Sequence, residues 1–326
     1  MSGVATYGPP FPTGLTHDPD KQRYYGCDNY FLEAYEQLSA LTPEPVRFAN
    51  EHALLLVKPD AVASRSIERI TGWLREAGFR IVAARRLLVR RGQVRATWHY
   101  QLNRATPQRC LLADALCGLS DSLMFLLRPE EPVDVPATVA LSVRKGPAAP
   151  ARRRPGQLRT RLGDFGFLLN LVHASDDPAD LVRELGILLA HQDRRALICQ
   201  ALENTDRHSE ATALALGLYA EHPPHDLDFA ASAARLAKAA RELLASPDLP
   251  DRVRWPLRDA VASGTSEPAS WAPLVDLIWS ADLPLAGWDL VVVGSHAVPL
   301  SRPQCGQLLT GADPARWRAP AAVVPS

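Results

Sequence analysis

Apolar positions in the first half of the chain fall into short blocks that switch between two periods. Ala53 to Val57 (ALLLV) is a continuous apolar run stopped at Lys58-Pro59, the pattern of a buried strand ended by proline. Ile67, Ile70, Trp73, Leu74 and Ala77 then recur at spacings of three and four, and Gly78 follows as a stop signal, which predicts a helix. Phe79 to Val89 alternates loosely as a strand, Gln93 to Leu102 reads as a helix, and Ser122 to Leu127 (SLMFLL) as another strand. Pro129 to Pro155 is dominated by proline and arginine and predicts a loop with one helix around Thr138 to Val143. Phe165 to Val172 reads as a further apolar strand. Pro178 to Leu189 follows as an amphipathic helix with proline at its start and Ala179, Leu181, Val182, Leu185 and Leu188 on its stripe. Strands alternating with helices in this way suit a small sheet covered on one face by helices.

The two ends differ from this middle part. Residues 1–47 carry proline, glycine and aromatics (Tyr7, Phe11, Tyr24, Tyr25, Tyr30, Phe31, Tyr35), too aromatic for a disordered tail and too irregular for a domain, so an arm that packs on something is expected. Residues 48–190 form the alternating part, and 191–326 read as mainly helical, with patterns near Arg194 to Glu203, Ser209 to Ala220, Phe229 to Leu244 and Ala272 to Ile278. No repeat of fixed period stands out there. Trp288 to Gly294 (WDLVVVG) is a lone strand candidate that must find a sheet to join.

Composition adds limits. At 326 residues, with 47% hydrophobic and 22% charged positions, the chain can bury an ordinary core. Its 36 basic and 36 acidic residues cancel, so no global field draws it to nucleic acid or to an anionic membrane, and local patches must carry any anion binding. The five cysteines are scattered and lack a CxxC pair, which argues against a disulfide framework and a zinc site and fits a reducing cytoplasm. The first residues lack a basic start followed by an apolar stretch, and no apolar run approaches the ~20 residues of a membrane span, so a soluble, cytoplasmic protein is expected.

The candidate chemistry centres on His173. It ends an apolar strand just before a helix-starting turn, a rigid place from which a ring can face a cleft. A histidine that acts as a nucleophile must be neutral, with one ring nitrogen free and the other proton held by an acceptor. Glu184, about two turns into the following helix, can fold back as that acceptor.

Six elements, in order and at similar spacing, resemble nucleoside diphosphate kinases over close to half the chain. They are LLLVKPDAV (Leu54 to Val62), WHY (Trp98 to Tyr100), PG (Pro155-Gly156), GDF (Gly163 to Phe165), NLVHASD (Asn170 to Asp176) and RELG (Arg183 to Gly186). The resemblance implies an α/β fold of the α+β sandwich type, a ferredoxin-like antiparallel sheet with covering helices. It implies phosphoryl transfer through a phosphohistidine at His173, with Glu184 orienting the ring and Ser175 hydrogen-bonding alongside. Lys58 would reach the ribose hydroxyl and the phosphate, Tyr100 would supply a hydroxyl near the histidine, and Asn170 would contact the sugar. Of the family's two phosphate-binding arginines, Arg144 matches the first, and Arg159 or Arg161 the second. Counting from PG selects Arg159, and counting back from GDF selects Arg161. ATP or another nucleoside triphosphate is the implied donor, with Mg2+ held mostly by substrate and water. A homo-oligomer is implied as well, since family members are hexamers or tetramers.

The sequence departs from the family at three places. Gln108 stands where the base-stacking phenylalanine is expected, and a polar amide has no aromatic face. GPAAP (Gly146 to Pro150) replaces the threonine-asparagine-proline segment and lacks its phosphate-touching hydroxyl, and the stretch from GDF to His173 is two residues short. These point to an altered base site and a small-molecule phosphate acceptor other than the general nucleoside diphosphate pool. The same residues also admit a non-catalytic nucleotide-binding scaffold, or nucleotidyl transfer with His173 as acid or base. His296, in GSHAVP, reads as structural, and Arg152-Arg153-Arg154 as a solvated cluster able to steer anions inward.

Overall fold

The computed structural model of the chain describes residues 11–309, 311 and 313–318, so Tyr7 lies outside the described residues. Four strands form the sheet: β1 Ala53–Val57, β2 Phe79–Leu87, β3 Ser122–Pro129 and β4 Val172–Ala174. Their order is β2-β3-β1-β4, every neighbour pair is antiparallel, and β1 lies between β3 and β4. This is the ferredoxin-like order that the resemblance implies.

Helices α1 Pro19–Tyr25, α2 Asn29–Leu41 and α3 Pro45–Glu51 precede β1, and α4 Pro59–Ala63 and α5 Ile67–Glu76 connect it to β2. Between β2 and β3 lie α6 Arg91–Thr97, α7 His99–Leu102 and α8 Pro107–Gly118. Then α9 Ala137–Lys145 and α10 Leu158–Leu162 precede β4, and α11 Pro178–Leu188 follows it. The remainder is helical: α12 His191–Leu202, α13 His208–Glu221, α14 Phe229–Leu244, α15 Asp251–Ser263, α16 Ala272–Ser280, α17 Trp288–Ala297 and α18 Pro314–Arg318. Among the described residues no helix is long and apolar enough to cross a membrane.

The sheet is buried on both faces, not one. Ala53, Leu55 and Val57 of β1 join a core shared with α5, α9 and the C-terminal helices, while Leu54 and Leu56 join a second core with α2, α3, α11 and α12. A strand covered on both sides needs an apolar residue at every position, which is why ALLLV shows no alternation.

Other segments also differ from their sequence reading. The described part of the arm is helical, not irregular: its aromatics Tyr25 and Phe31 are buried against the second face, where short helices cap with Asp18 and Asp28. Lys21 Nζ lies 2.8 Å from both Asp177 and Asp180, the Tyr25 hydroxyl donates to Asp180 at 2.6 Å, and Arg183 Nε donates to Asp28 at 2.6 Å, so this arm clamps α11. The strand expected over Phe165 to Val172 shrinks to Val172–Ala174, because a bridge between Phe165 and Leu169 closes a tight hairpin before it. The strand expected at Trp288 to Gly294 is helix α17, whose Leu290 to Val293 are all buried. A helix with four consecutive buried apolar residues shows no clear 3.6-residue rhythm, so its valines imitate a strand.

The outer edge of β2 is occupied within the chain. Gln200 Oε1 of α12 accepts from the Ala84 N–H at 3.1 Å, and the Arg207 N–H donates to the Ile81 carbonyl at 2.7 Å. Such caps use the groups through which a free edge pairs with another sheet.

Candidate active site

His173 stands at the centre of β4, paired across from Leu56 of β1, with its side chain 17% exposed in a cleft. Its Nε2 lies 2.9 Å from Glu184 Oε1, and the Ser175 hydroxyl donates to Glu184 Oε2 at 2.6 Å. Both carboxylate oxygens are thus engaged, and α11, clamped by the arm, fixes their position. The Trp98 indole N–H approaches His173 Nδ1 at 3.4 Å, and its ring meets the imidazole edge-on at 5.2 Å between centroids. An indole nitrogen can only donate, so Nδ1 is the acceptor and the ring proton resides on Nε2, directed at Glu184. Nδ1 is therefore the unprotonated ring nitrogen, and its lone pair is met by the long 3.4 Å contact from Trp98.

The KPD segment builds the floor beneath it. Buried Asp60 accepts from the Leu171 N–H at 2.9 Å, and the Lys58 N–H donates to the Leu171 carbonyl at 3.0 Å. Together they hold Leu171 at φ 65, a left-handed conformation that costs a branched residue energy unless its surroundings enforce it. That kink delivers Asn170 to the cleft and starts β4 one residue later. Lys58 Nζ lies 2.9 Å from the Leu168 carbonyl and 3.2 Å from Asp60. Asn170 accepts from Arg159 Nη2 at 3.1 Å, and Arg159 also donates to the Gly146 carbonyl at 2.9 Å and to the Val172 carbonyl. Burial lowers the Arg159 pKa to about 10.

The cleft is about 420 Å³ and is lined by Lys58, Arg104, Arg109, Lys145, Arg152 and Arg159, against Asp176 as the one lining carboxylate among the described residues. Lys145, the last residue of α9, is buried and donates to the Ala174 carbonyl at 3.2 Å; burial, then Arg159, pulls its pKa to about 8. The arrangement is a mainly cationic cleft with an oriented imidazole at its base.

Several sequence candidates sit elsewhere. Tyr100 packs in the second core, with ring centroids 5.3 Å from Tyr24 and 5.7 Å from Tyr25 and the Arg183 guanidinium 5.1 Å away, because the arm supplies it with aromatic partners. Trp98, two residues earlier, takes the position over His173. Arg144 donates to the Ala77 carbonyl at 2.6 Å and lies over Phe79, and Arg161 pairs with Glu76 on the surface. Arg159 is therefore the arginine of its pair that enters the cleft. Arg153 is not a solvated charge: it ties the Pro147, Ala148 and Gly163 carbonyls together. The residues that sequence reasoning missed are Lys145, Arg104, Arg109 and Phe167. For Lys145 a signal existed, since it follows buried Leu141 by four and shares its helix face.

A family model described as "Nucleoside diphosphate kinase" matches residues 51–194. The nucleoside diphosphate kinase of Thermoplasma acidophilum is 30% identical over 139 residues, which span 86% of that protein and 42% of this chain. The chain belongs to the nucleoside diphosphate kinase family. The Archaeoglobus fulgidus nucleoside diphosphate kinase is 29% identical over 145 residues, 89% of its length and 44% of this chain. Human thioredoxin domain-containing protein 6 is 29% identical over 160 residues, 44% of its length. Within this family the chain is divergent: the matched stretch ends at 194, and α13 to α17, beyond it, share a core with the sheet.

Proposed function

We propose that this chain is a nucleotide-dependent phosphotransferase that works through a phosphohistidine at His173. The observation that carries the reading is the division of the imidazole: Nε2 is engaged by Glu184 at 2.9 Å, while Nδ1 keeps only a long 3.4 Å contact from Trp98, which the phosphoryl group would displace, in a cleft that Lys58, Lys145 and Arg159 line. The His173 Nδ1 lone pair attacks the terminal phosphorus of the nucleoside triphosphate, the N–P bond forms, and the bond from that phosphorus to the bridging oxygen breaks. The nucleoside diphosphate leaves with that electron pair. The proton on Nε2 stays directed at Glu184, which stabilises the positive charge on the ring, and Ser175 keeps the carboxylate in place. Lys58, Lys145 and Arg159 face the charge spread over the phosphoryl oxygens, the main contribution a protein makes to this chemistry. Asn170, at the cleft wall, would contact the sugar.

Mg2+, when bound, offsets charge on the nucleotide's phosphates. The described residues hold no group of three His, Cys, Asp or Glu side chains able to cage it, so it would arrive with the nucleotide and its waters, with Asp176 the one lining carboxylate within the cleft. In the second half reaction a small-molecule phosphate acceptor enters the same cleft and takes the phosphoryl group from Nδ1. Gln108 is not among the cleft-lining residues, which favours an acceptor or base specificity altered from that of the family. Any homo-oligomer would use surfaces other than the capped β2 edge. The cytoplasm, where the five free cysteines stay reduced, is the compartment this reading implies.

Product analysis separates this reaction from nucleotidyl transfer at the same site. With ATP and magnesium alone, ADP should appear in an amount limited by enzyme. AMP with pyrophosphate would replace the phosphotransferase reading with nucleotidyl transfer, and binding with neither product would replace it with a scaffold.

A further inference from the structure

We propose that the planar base of the nucleotide is held by Phe167 and Arg109, so that the stacking platform stands on the hairpin before β4. This rests on the phosphotransferase reading above. Phe167 lies inside the short hairpin that the Phe165–Leu169 bridge closes. Leu168 and Leu169 turn inward and are buried, whereas Phe167 is half-buried and lines the cleft. Two features fix the hairpin's shape. Lys58 Nζ holds the Leu168 carbonyl at 2.9 Å, and Gly166 sits at φ 94 against the His296 imidazole, where an added Cβ would lie 3.2 Å from the ring. His296 comes from the last turn of α17, so the C-terminal helices support the loop from behind.

Arg109 of α8 already lies against the Phe167 ring, so the two form one stacked surface with no gap between them, and the base would lie on its free face. Its guanidinium carbon lies 4.9 Å from the Phe167 ring centroid, and among the described residues its side chain makes no ion pair and no hydrogen bond. A half-buried guanidinium over an aromatic ring, without a carboxylate to hold it, is a surface for another planar group. Leu102, Ala113 and Leu116 add apolar walls beside the pair. Base–aromatic stacking tolerates any base, because every base presents a π-face. Two sequence departures thereby become one change. The phenylalanine lost at position 108 and the shortening between GDF and His173 describe a platform moved from helix to loop.

The test compares ATP with inorganic tripolyphosphate, which carries the phosphates without the base, by calorimetric titration of the full chain with magnesium. Phe167→Ala should weaken ATP roughly ten- to a hundredfold while leaving tripolyphosphate within about twofold. Phe167→Trp should restore ATP binding, and Gln108→Ala should change neither ligand. Unchanged tripolyphosphate affinity also reports an intact fold in each variant. The platform is wrong if the ratio of ATP to tripolyphosphate affinity is the same in Phe167→Ala and the parent chain, or if Gln108→Ala lowers it selectively. If ATP binds and labels His173 while that ratio stays constant, only the platform fails. If ATP neither binds nor labels His173, the phosphotransferase reading fails with it.

Discussion

A lysine buried without a carboxylate in contact keeps its charge at a cost, and Lys145 is in that position. Burial first, then Arg159, pulls its pKa from 10.5 to about 8, against weaker upward pulls from Asp176, Glu184 and Asp180. Between those two values the folded chain binds fewer protons than the unfolded chain, so this residue makes stability rise with pH across that window. A bound phosphate reverses the local balance: it favours the ammonium, takes up a proton near pH 8, and loses affinity as pH rises further. ADP, whose phosphates are fully ionised from about pH 7.5 to 9.5, should therefore bind progressively more weakly over that range, and Lys145→Met should flatten the profile. A profile unchanged by Lys145→Met would remove Lys145 from the phosphate site. At this scale the histidine, its carboxylate, Ser175, Lys58 and Asn170 were readable as candidates from their motifs, whereas Arg159 and Arg161 could be told apart only by the fold, which brings Arg159 to the cleft. Tyr100 and Arg144 were not separable from Trp98 and Lys145, because one or two residues of helix rotation decide which side chain enters a cleft.

Elements meet here through close backbone approach as much as through side chains. Gly186 of α11 lets α2 lie directly against it: a Cβ at this position would fall 2.1 Å from the Tyr30 carbonyl oxygen. Gly186→Ala should therefore separate the helices and lower stability by about 1–3 kcal/mol or more, read as a reduced urea midpoint. An unchanged midpoint would contradict the packing of the arm on α11. The amphipathic helices, such as α5 and α14, were readable because one face meets water. α17 was not, since its run from Leu290 to Val293 is buried on every side, and β4 was overestimated because Gly166 and Asn170, the turn-favouring residues of that run, were read as part of a strand.

At the scale of the whole molecule, the C-terminal helices are structural partners of the sheet. α12 and α13 cap β2 through Gln200 and Arg207 and bury Leu197, Ile198, Ala201, Ala211 and Leu218. A chain ending at residue 190 exposes that edge and both core faces, and should associate or aggregate where the full chain does not, as light scattering would report. A monodisperse, folded truncation at the same size per chain would show that the extension is dispensable. The sequence pattern marked residues 191–326 as helical but held no sign of where they pack, because docking depends on distant faces meeting. Phosphoryl transfer depends on what happens to His173 at the base of the cleft. Incubating the full chain with terminally labelled ATP and magnesium, then quenching in alkali and in acid, tests it most directly. Alkali-stable, acid-labile label is expected on His173 at up to one per chain, and none in His173→Ala. Label absent from the parent chain, or persisting in His173→Ala, would contradict it.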